Sequence, residues 1–420
     1  MGLVFRWLLR IMAAMILLIV AGVALVYYLG SRSLPDYDAV LRVPYLSAPV
    51  EIVRDNANIP HIFGEKDEDV FYALGYAHAQ DRMWQMTLLR RTAQGRLSEL
   101  FGRATVQTDD LMRRLDIYNH AAASLDVLDE RTLRMLRAYA TGVNVRFDQI
   151  NFEALGRGAP EMFLFNAPVA PWRPTDSMAI VKLMGLRLSR HLDIEVTRAR
   201  FSKAIPDPDR LLDILPDAPG AGVAALPEFA QLFPTAPQGT AAAPYEPPPL
   251  SPFRRKPFSS ASNVWAAGPT RSTSGGTLLA NDPHLGFSTP SIWYLARLEL
   301  ASGGVIGGTI PGMPLVLVGR SDRLGWGLSS AGMDDQDLYF EQLNPENTEE
   351  YLTPEGYKTF RTRKSIINIK DEAPVTITQR WTENGPVLTG THFNIGAIIP
   401  GGHVASLAWT VLSPKDTSMM

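Results

Sequence analysis

The chain has 420 residues, with 40 Lys and Arg against 43 Asp and Glu for a formal net charge of −3; 46% of it is hydrophobic, 20% is charged, and it has no cysteine. This is the composition of an ordinary globular protein long enough for roughly two or three domains, and it excludes a collagen, a disordered chain and a bundle of membrane helices. The near-neutral charge balance and the lack of a basic run interleaved with aromatics argue against a nucleic-acid partner, and the missing cysteines exclude disulfides, thiol nucleophiles and cysteine zinc sites.

Arg6 and Arg10 precede an uncharged stretch, Ile11 to Gly30, that is long enough as a helix to cross the roughly 30 Å hydrocarbon layer. Two arginines before it and only Arg32 just after it keep the start of the chain in the cytoplasm and export the rest. The favoured reading is an uncleaved transmembrane anchor facing the periplasm or exterior. The alternative is a signal peptide cut at the small residues Ala21 to Ala24, with secretion to the periplasm.

An extended lead-in from Pro49 to Phe63, with Asp55-Asn56 as a turn, comes before three helical stretches. Val70 to Phe101 lacks proline, is rich in Ala, Leu, Met, Gln and Arg, and ends at Gly102. Leu111 to Asn144 follows, and then Ser177 to Lys203, with Asp176 as its N-cap. Eleven of the 32 prolines fall between Pro216 and Pro257, a composition that forms neither helix nor central strand and predicts an exposed spacer. Short β-branched or aromatic runs then predict strands at Asn263–Ala267, Thr277–Ala280, Ile292–Leu300, Val305–Ile310, Leu315–Gly319 and Ser365–Ile369. Helices, spacer and closely spaced strands in that order predict an α+β fold.

Familiar catalytic motifs are missing. Gly327-Leu328-Ser329-Ser330-Ala331-Gly332 has alanine where a nucleophile elbow needs its second glycine, no H-E-x-x-H occurs, and the 7 histidines are scattered. The remaining feature is the junction of spacer and sheet, Ser259-Ser260-Ala261-Ser262-Asn263-Val264-Trp265, followed by Asn281-Asp282-Pro283-His284-Leu285-Gly286. An exposed proline-rich segment that delivers a serine to the first residue of a strand is the arrangement expected of a cut site. Cutting there would free an α-amine, whose ordinary pKa of about 7.7–8.0 makes it a usable general base beside the hydroxyl it would activate. A plain turn serine before a strand is the simpler alternative.

Ser262-Asn263-x-Trp265, the Asn281 to Gly286 box and the run from Trp326-Gly327 to Asp334-Asp335-Gln336-Asp337-Leu338-Tyr339 closely resemble the penicillin acylase (penicillin amidase) family of N-terminal nucleophile hydrolases. Asp55-Asn56-x-x-Ile59-Pro60-His61-Ile62, Gly75-Tyr76-x-His78-Ala79-Gln80-Asp81-Arg82-x-Trp84-Gln85-Met86 and Gly95-Arg96-Leu97-Ser98-Glu99-Leu100 look like the start of that family's α-chain. The resemblance runs from about residue 45 to the end of the sequence. After the anchor or signal segment at 1–32, it implies a mainly helical α-chain region at 45–215, a removable spacer at 216–261 and the N-terminal part of a β-chain at 262–420, folded as an αββα sandwich.

What the resemblance implies chemically is a precursor cut between Ala261 and Ser262 into a heterodimer of its own two chains, acting on a small-molecule amide such as a β-lactam side chain or an acyl homoserine lactone. Ser262 would be the nucleophile, His284 would lie beside it, and the Ser330 backbone N–H would be an oxyanion donor, a contact typically worth about 3–4 kcal/mol of barrier. The positions matching Asp334, the Gln336 carbonyl and Asp337, together with Glu195, would hold a structural Ca2+, for which such hard oxygen donors are suited. Leu188, Leu285, Val318 and Leu328, with Gly185, match the acyl pocket, and their aliphatic character favours a flexible aliphatic acyl group over phenylacetyl. Two features depart from the pattern: Ala261 stands where glycine is more usual, and the chain stops at Met420 in what looks like the middle of the β-chain, before the second oxyanion donor, an asparagine, and a supporting arginine. Two rival readings are a serine hydrolase using Ser329 and a non-catalytic, membrane-tethered scaffold.

Overall fold

The computed structural model describes residues 2–152, 158–165, 169–189, 191–205, 207, 209–210, 213, 262–285, 288–329 and 335–415. The whole proline-rich spacer at 216–261, with Ser330 and Asp334, lies outside them. Helix and sheet are mixed. The helices are α1 (Gly2–Arg32), α2 (Asp67–Gln94), α3 (Ser98–Phe101), α4 (Val106–Leu115), α5 (Ile117–Ser124), α6 (Glu130–Phe152), α7 (Glu161–Phe165), α8 (Pro174–Leu188) and α9 (His191–Ala204). Before the helical region come β1 (Val50–Arg54) and β2 (Pro60–Gly64). After it come β3 (Asn263–Ala267), β4 (Leu278–Asp282), β5 (Tyr294–Leu300), β6 (Gly303–Ile310), β7 (Met313–Ser321), β8 (Gly325–Trp326), β9 (Gln336–Gln342), β10 (Glu350–Thr353), β11 (Gly356–Thr359), β12 (Arg361–Ile369), β13 (Glu372–Trp381), β14 (Val387–Leu388) and β15 (His403–Trp409).

Helix α1 is 31 residues long, with every described side chain at least partly exposed except Ser33 just beyond its end. Its length and composition suit a membrane anchor and a signal sequence equally.

The chain divides into two compact units, and neither is a continuous stretch. The first comprises residues 1–88, 130–174 and 287–327. Its sheet runs β1-β2-β5-β6-β7-β8, antiparallel except where β2 pairs in parallel with β5. The β1–β2 turn is built by Asp55, whose Oδ1 accepts the N–H groups of Ala57 and Ile59, with Asn58 left-handed at φ 61°. Helices α2 and α6 meet at two glycines: a Cβ on Gly75 would lie 2.1 Å from the Tyr139 carbonyl oxygen, and one on Gly142 would lie 1.8 Å from that of Tyr72. Only hydrogen atoms at both positions let the two backbones approach this closely.

The core of this unit also holds a polar chain. His78 is fully buried; its Nδ1 lies 2.8 Å from the Tyr139 hydroxyl and its Nε2 3.0 Å from Thr309 Oγ1. Tyr139 Oη accepts the Gly312 N–H at 2.9 Å, so its own proton goes to Nδ1. Thr309 donates to the Tyr294 carbonyl at 2.7 Å, so His78 must carry its proton on Nε2. Burial pushes the imidazole down to about 3, and the ring stays neutral.

The second unit comprises residues 89–129, 175–286 and 328–420. It contains the sheet β14-β15-β9, the hairpins β12–β13, β10–β11 and β3–β4, and α3, α4, α5 and α9 with nearly all of α8. The helix expected over Val70 to Phe101 is broken at Gly95, which is left-handed at φ 61° and whose carbonyl accepts Arg113 Nε at 2.8 Å. That expected over Leu111 to Asn144 is interrupted at Asp116, left-handed at φ 55°, and again between α5 and α6, where a short 3-10 turn at Leu125–Val127 ends in extended Leu128. Asp109, fully buried, caps the start of α3 by accepting the N–H groups of Leu97 and Ser98 at 2.8 and 2.7 Å and the Ser98 hydroxyl. Asp176 is not an N-cap. Helix α8 begins two residues earlier at Pro174, and Asp176 is buried, accepting the Tyr118 hydroxyl at 2.8 Å and lying 3.7 Å from Arg90.

Candidate active site

The site forms in the second unit at the open end of the β3–β4 hairpin. Strand β3 spans the predicted Asn263–Ala267 residue for residue and pairs antiparallel with β4, Asn263 opposite Asp282 and Ala267 opposite Leu278. Ser262 is the residue just before the ladder, half-buried. Pro283 follows β4 directly, and because it has no N–H it cannot continue the ladder. The chain turns there, closed by a bond from the Leu285 N–H to the Pro283 carbonyl at 3.1 Å. This turn aims the His284 backbone N–H at Ser262 Oγ, 3.1 Å away.

The His284 side chain faces elsewhere. Its Nε2 lies 2.7 Å from Asp282 Oδ2, so His284 touches Ser262 through its backbone. A donor on Oγ stabilises negative charge developing there and leaves the hydroxyl proton free for a base.

Two residues absent from the expected site complete it. The Asn281 side chain donates through Nδ2 to the carbonyls of Asn263 at 2.9 Å and Leu328 at 3.0 Å, and its Oδ1 accepts the Leu328 N–H at 3.1 Å. Ser329 Oγ donates to the Ser262 carbonyl at 3.0 Å. The proton of the rival nucleophile is thus directed at a carbonyl rather than at a base. The sequence signal for Asn281 is its place in the Asn281 to Gly286 box; Ser329 is marked in the sequence only as the serine of the rival reading, and Ser330 lies outside the described residues.

Of the residues expected to hold Ca2+, Glu195 lies on α9, and Gln336 and Asp337 lie on β9, the strand against which α9 packs. Glu195 Oε2 accepts the Leu338 N–H at 3.3 Å, and the buried Gln336 side chain accepts the Leu192 N–H at 2.7 Å. Asp337 is exposed. Asp335 is taken up by the Ser189 hydroxyl at 2.8 Å, His191 Nδ1 at 3.1 Å and Trp409 Nε1 at 3.0 Å. The donors are hard oxygens of the kind calcium takes. Among the described residues no three Asp, Glu or His side chains converge as an ion site, and Asp334 lies outside them. Of the positions expected to line an acyl pocket, Leu188 closes α8, Leu328 is exposed, Leu285 is half-buried in the turn after Pro283, and Val318 lies on β7 in the first unit.

The sequence model of the penicillin amidase family matches residues 49–420. The chain belongs to the penicillin amidase family. Among individual members, it is 31% identical over 374 residues to the penicillin acylase 2 proenzyme of Pseudomonas sp. strain SE83, covering 85% of this chain and 46% of that one. It is 31% identical over 373 residues to the acyl-homoserine lactone acylase QuiP of Pseudomonas aeruginosa, covering 85% and 42%. To the penicillin G acylase of Escherichia coli it is 25% identical over 418 residues, covering 87% and 49%. The chain thus spans about half the length of the penicillin amidase family members it matches.

Proposed function

We propose that this protein is an acylase-type amidohydrolase, made as a precursor and cut between Ala261 and Ser262. The observation that supports this best is Ser262 itself: it stands at the mouth of the β3–β4 hairpin with its Oγ accepting the His284 N–H, in a chain of the penicillin amidase family. Cleavage separates an α-chain region at 45–215 and a spacer at 216–261 from a β-chain beginning at residue 262, and the two chains stay together as an αββα sandwich. Ser262 Oγ then attacks an amide carbonyl and gives its proton to the new α-amine of the same residue. That amine passes the proton to the leaving amine, and water releases the acyl group from Oγ. The His284 N–H stabilises charge on Oγ, and the Ser330 N–H serves the carbonyl oxygen.

The substrate class is a small acyl amide of the kind the relatives' names describe, a β-lactam side chain or an acyl homoserine lactone. The aliphatic residues Leu188, Leu285, Val318 and Leu328 favour a flexible acyl chain. Asp334, the Gln336 carbonyl, Asp337 and Glu195 hold a structural calcium, which supplies no step of the chemistry. The protein is exported by α1, either as an anchor at the membrane or as a removed signal sequence.

Terminal sequencing of the full-length gene product tests the reading. A new terminus of Ser-Asn-Val-Trp is expected, together with loss of both cleavage and amide hydrolysis in Ser262→Ala. An uncut chain, or an active S262A variant, overturns it. Faster turnover of phenylacetyl than octanoyl p-nitroanilide would refute the acyl preference, and metal analysis finding no calcium would refute the ion.

A further inference from the structure

We propose that Ser329 is a positioning residue that fixes the α-amine of Ser262 against its own hydroxyl. This rests on the reading of Ser262 as the nucleophile. Ser262 precedes the β3–β4 ladder, whose first pair is Asn263 and Asp282, so no strand bond holds its carbonyl. The Ser329 hydroxyl supplies that bond at 3.0 Å, and because a carbonyl only accepts, the hydroxyl must donate. The opposite side of the residue is held by the His284 N–H on Oγ at 3.1 Å.

The Cα of Ser262 is tetrahedral. Once its carbonyl and its Cβ–Oγ arm are both placed, its nitrogen has one remaining position. Before cleavage the peptide bond to Ala261 restrains that nitrogen; afterwards only the two hydrogen bonds do. The proton that leaves Oγ as Oγ attacks must reach this amine, so a fixed distance between them is a kinetic requirement. Ser329 is itself delivered by Asn281, whose amide satisfies both the N–H and the carbonyl of Leu328 and the carbonyl of Asn263, much as a neighbouring strand would.

The test compares wild type, S329A and the isosteric pair Ser329→Thr and Ser329→Val in the full-length protein. It follows the processing rate on a denaturing gel, and kcat and KM with octanoyl p-nitroanilide. Expected for S329A and S329V is a fall of about tenfold in kcat and in processing rate, with KM and the thermal midpoint little changed. S329T, which keeps the hydroxyl, is expected within about threefold of wild type. Wild-type kcat in S329V, or S329T as slow as S329V, overturns the proposal, and the pair decides it even where S329A fails to fold. An active S262A variant instead overturns the reading of Ser262, independently of Ser329.

Discussion

His284 donates its backbone N–H to Ser262 Oγ while its imidazole is held by Asp282, so the contact with Ser262 is independent of the side chain. Replacing His284 by Gln or Ala is therefore expected to lower amide hydrolysis by less than about tenfold, whereas His284→Pro, which deletes the donor, is expected to lower it by about 10²-fold or more. Assays of the three variants with one p-nitroanilide check this. Loss of activity in H284A equal to that in H284P would show that the imidazole acts directly.

Buried His78 makes stability depend on pH. Its native pKa of about 3 lies below the unfolded value of about 6.5, so below that value the unfolded chain binds a proton that the native state refuses. Stability is expected to be unaffected by this group above about pH 6.5 and to fall as pH drops toward 3. The total loss is roughly 4–5 kcal/mol, at about 1.36 kcal/mol per pKa unit. Urea unfolding between pH 7 and 4 should give a flatter dependence for His78→Gln, which is neutral throughout; parallel curves would contradict the assignment.

Gly75→Ala inverts an ordinary rule. In an isolated helix alanine is better than glycine by about 0.5–1 kcal/mol. Here the new Cβ would lie 2.1 Å from the Tyr139 carbonyl oxygen, which forces α2 and α6 apart. The expected outcome is destabilisation by roughly 3 kcal/mol or more in chemical denaturation. An unchanged or raised midpoint would show that the helices can separate at little cost.

Asp109→Ala strips a buried cap. Two donors, the N–H groups of Leu97 and Ser98, lose their acceptor in a fully buried place, and the Ser98 hydroxyl is left with the Asn368 carbonyl at 3.0 Å alone. Roughly 3–5 kcal/mol of stability should be lost, read as a lower urea midpoint at unchanged slope. Asp109→Asn keeps one acceptor oxygen and is expected to fall between the two.

Much of this architecture is legible before folding, because it depends on local chemistry. The apolar run within α1, the limits of β3 and the serine just before it follow from composition and β-branching. At Gly95 and Asp116 a single left-handed residue breaks an expected helix, and side-chain propensity does not register one residue's φ.

What only the tertiary structure decided are relations between residues far apart in the chain. It set β2 in parallel beside β5, placed Glu195 against β9 and joined Ser329 to Ser262 across 67 positions. Hydrophobic period and turn chemistry are short-range signals, whereas these contacts arise when separate segments satisfy each other's polar groups as they come together. The sequence by itself therefore determined which serine stands at the strand's start. The folded chain decided what holds that serine in place.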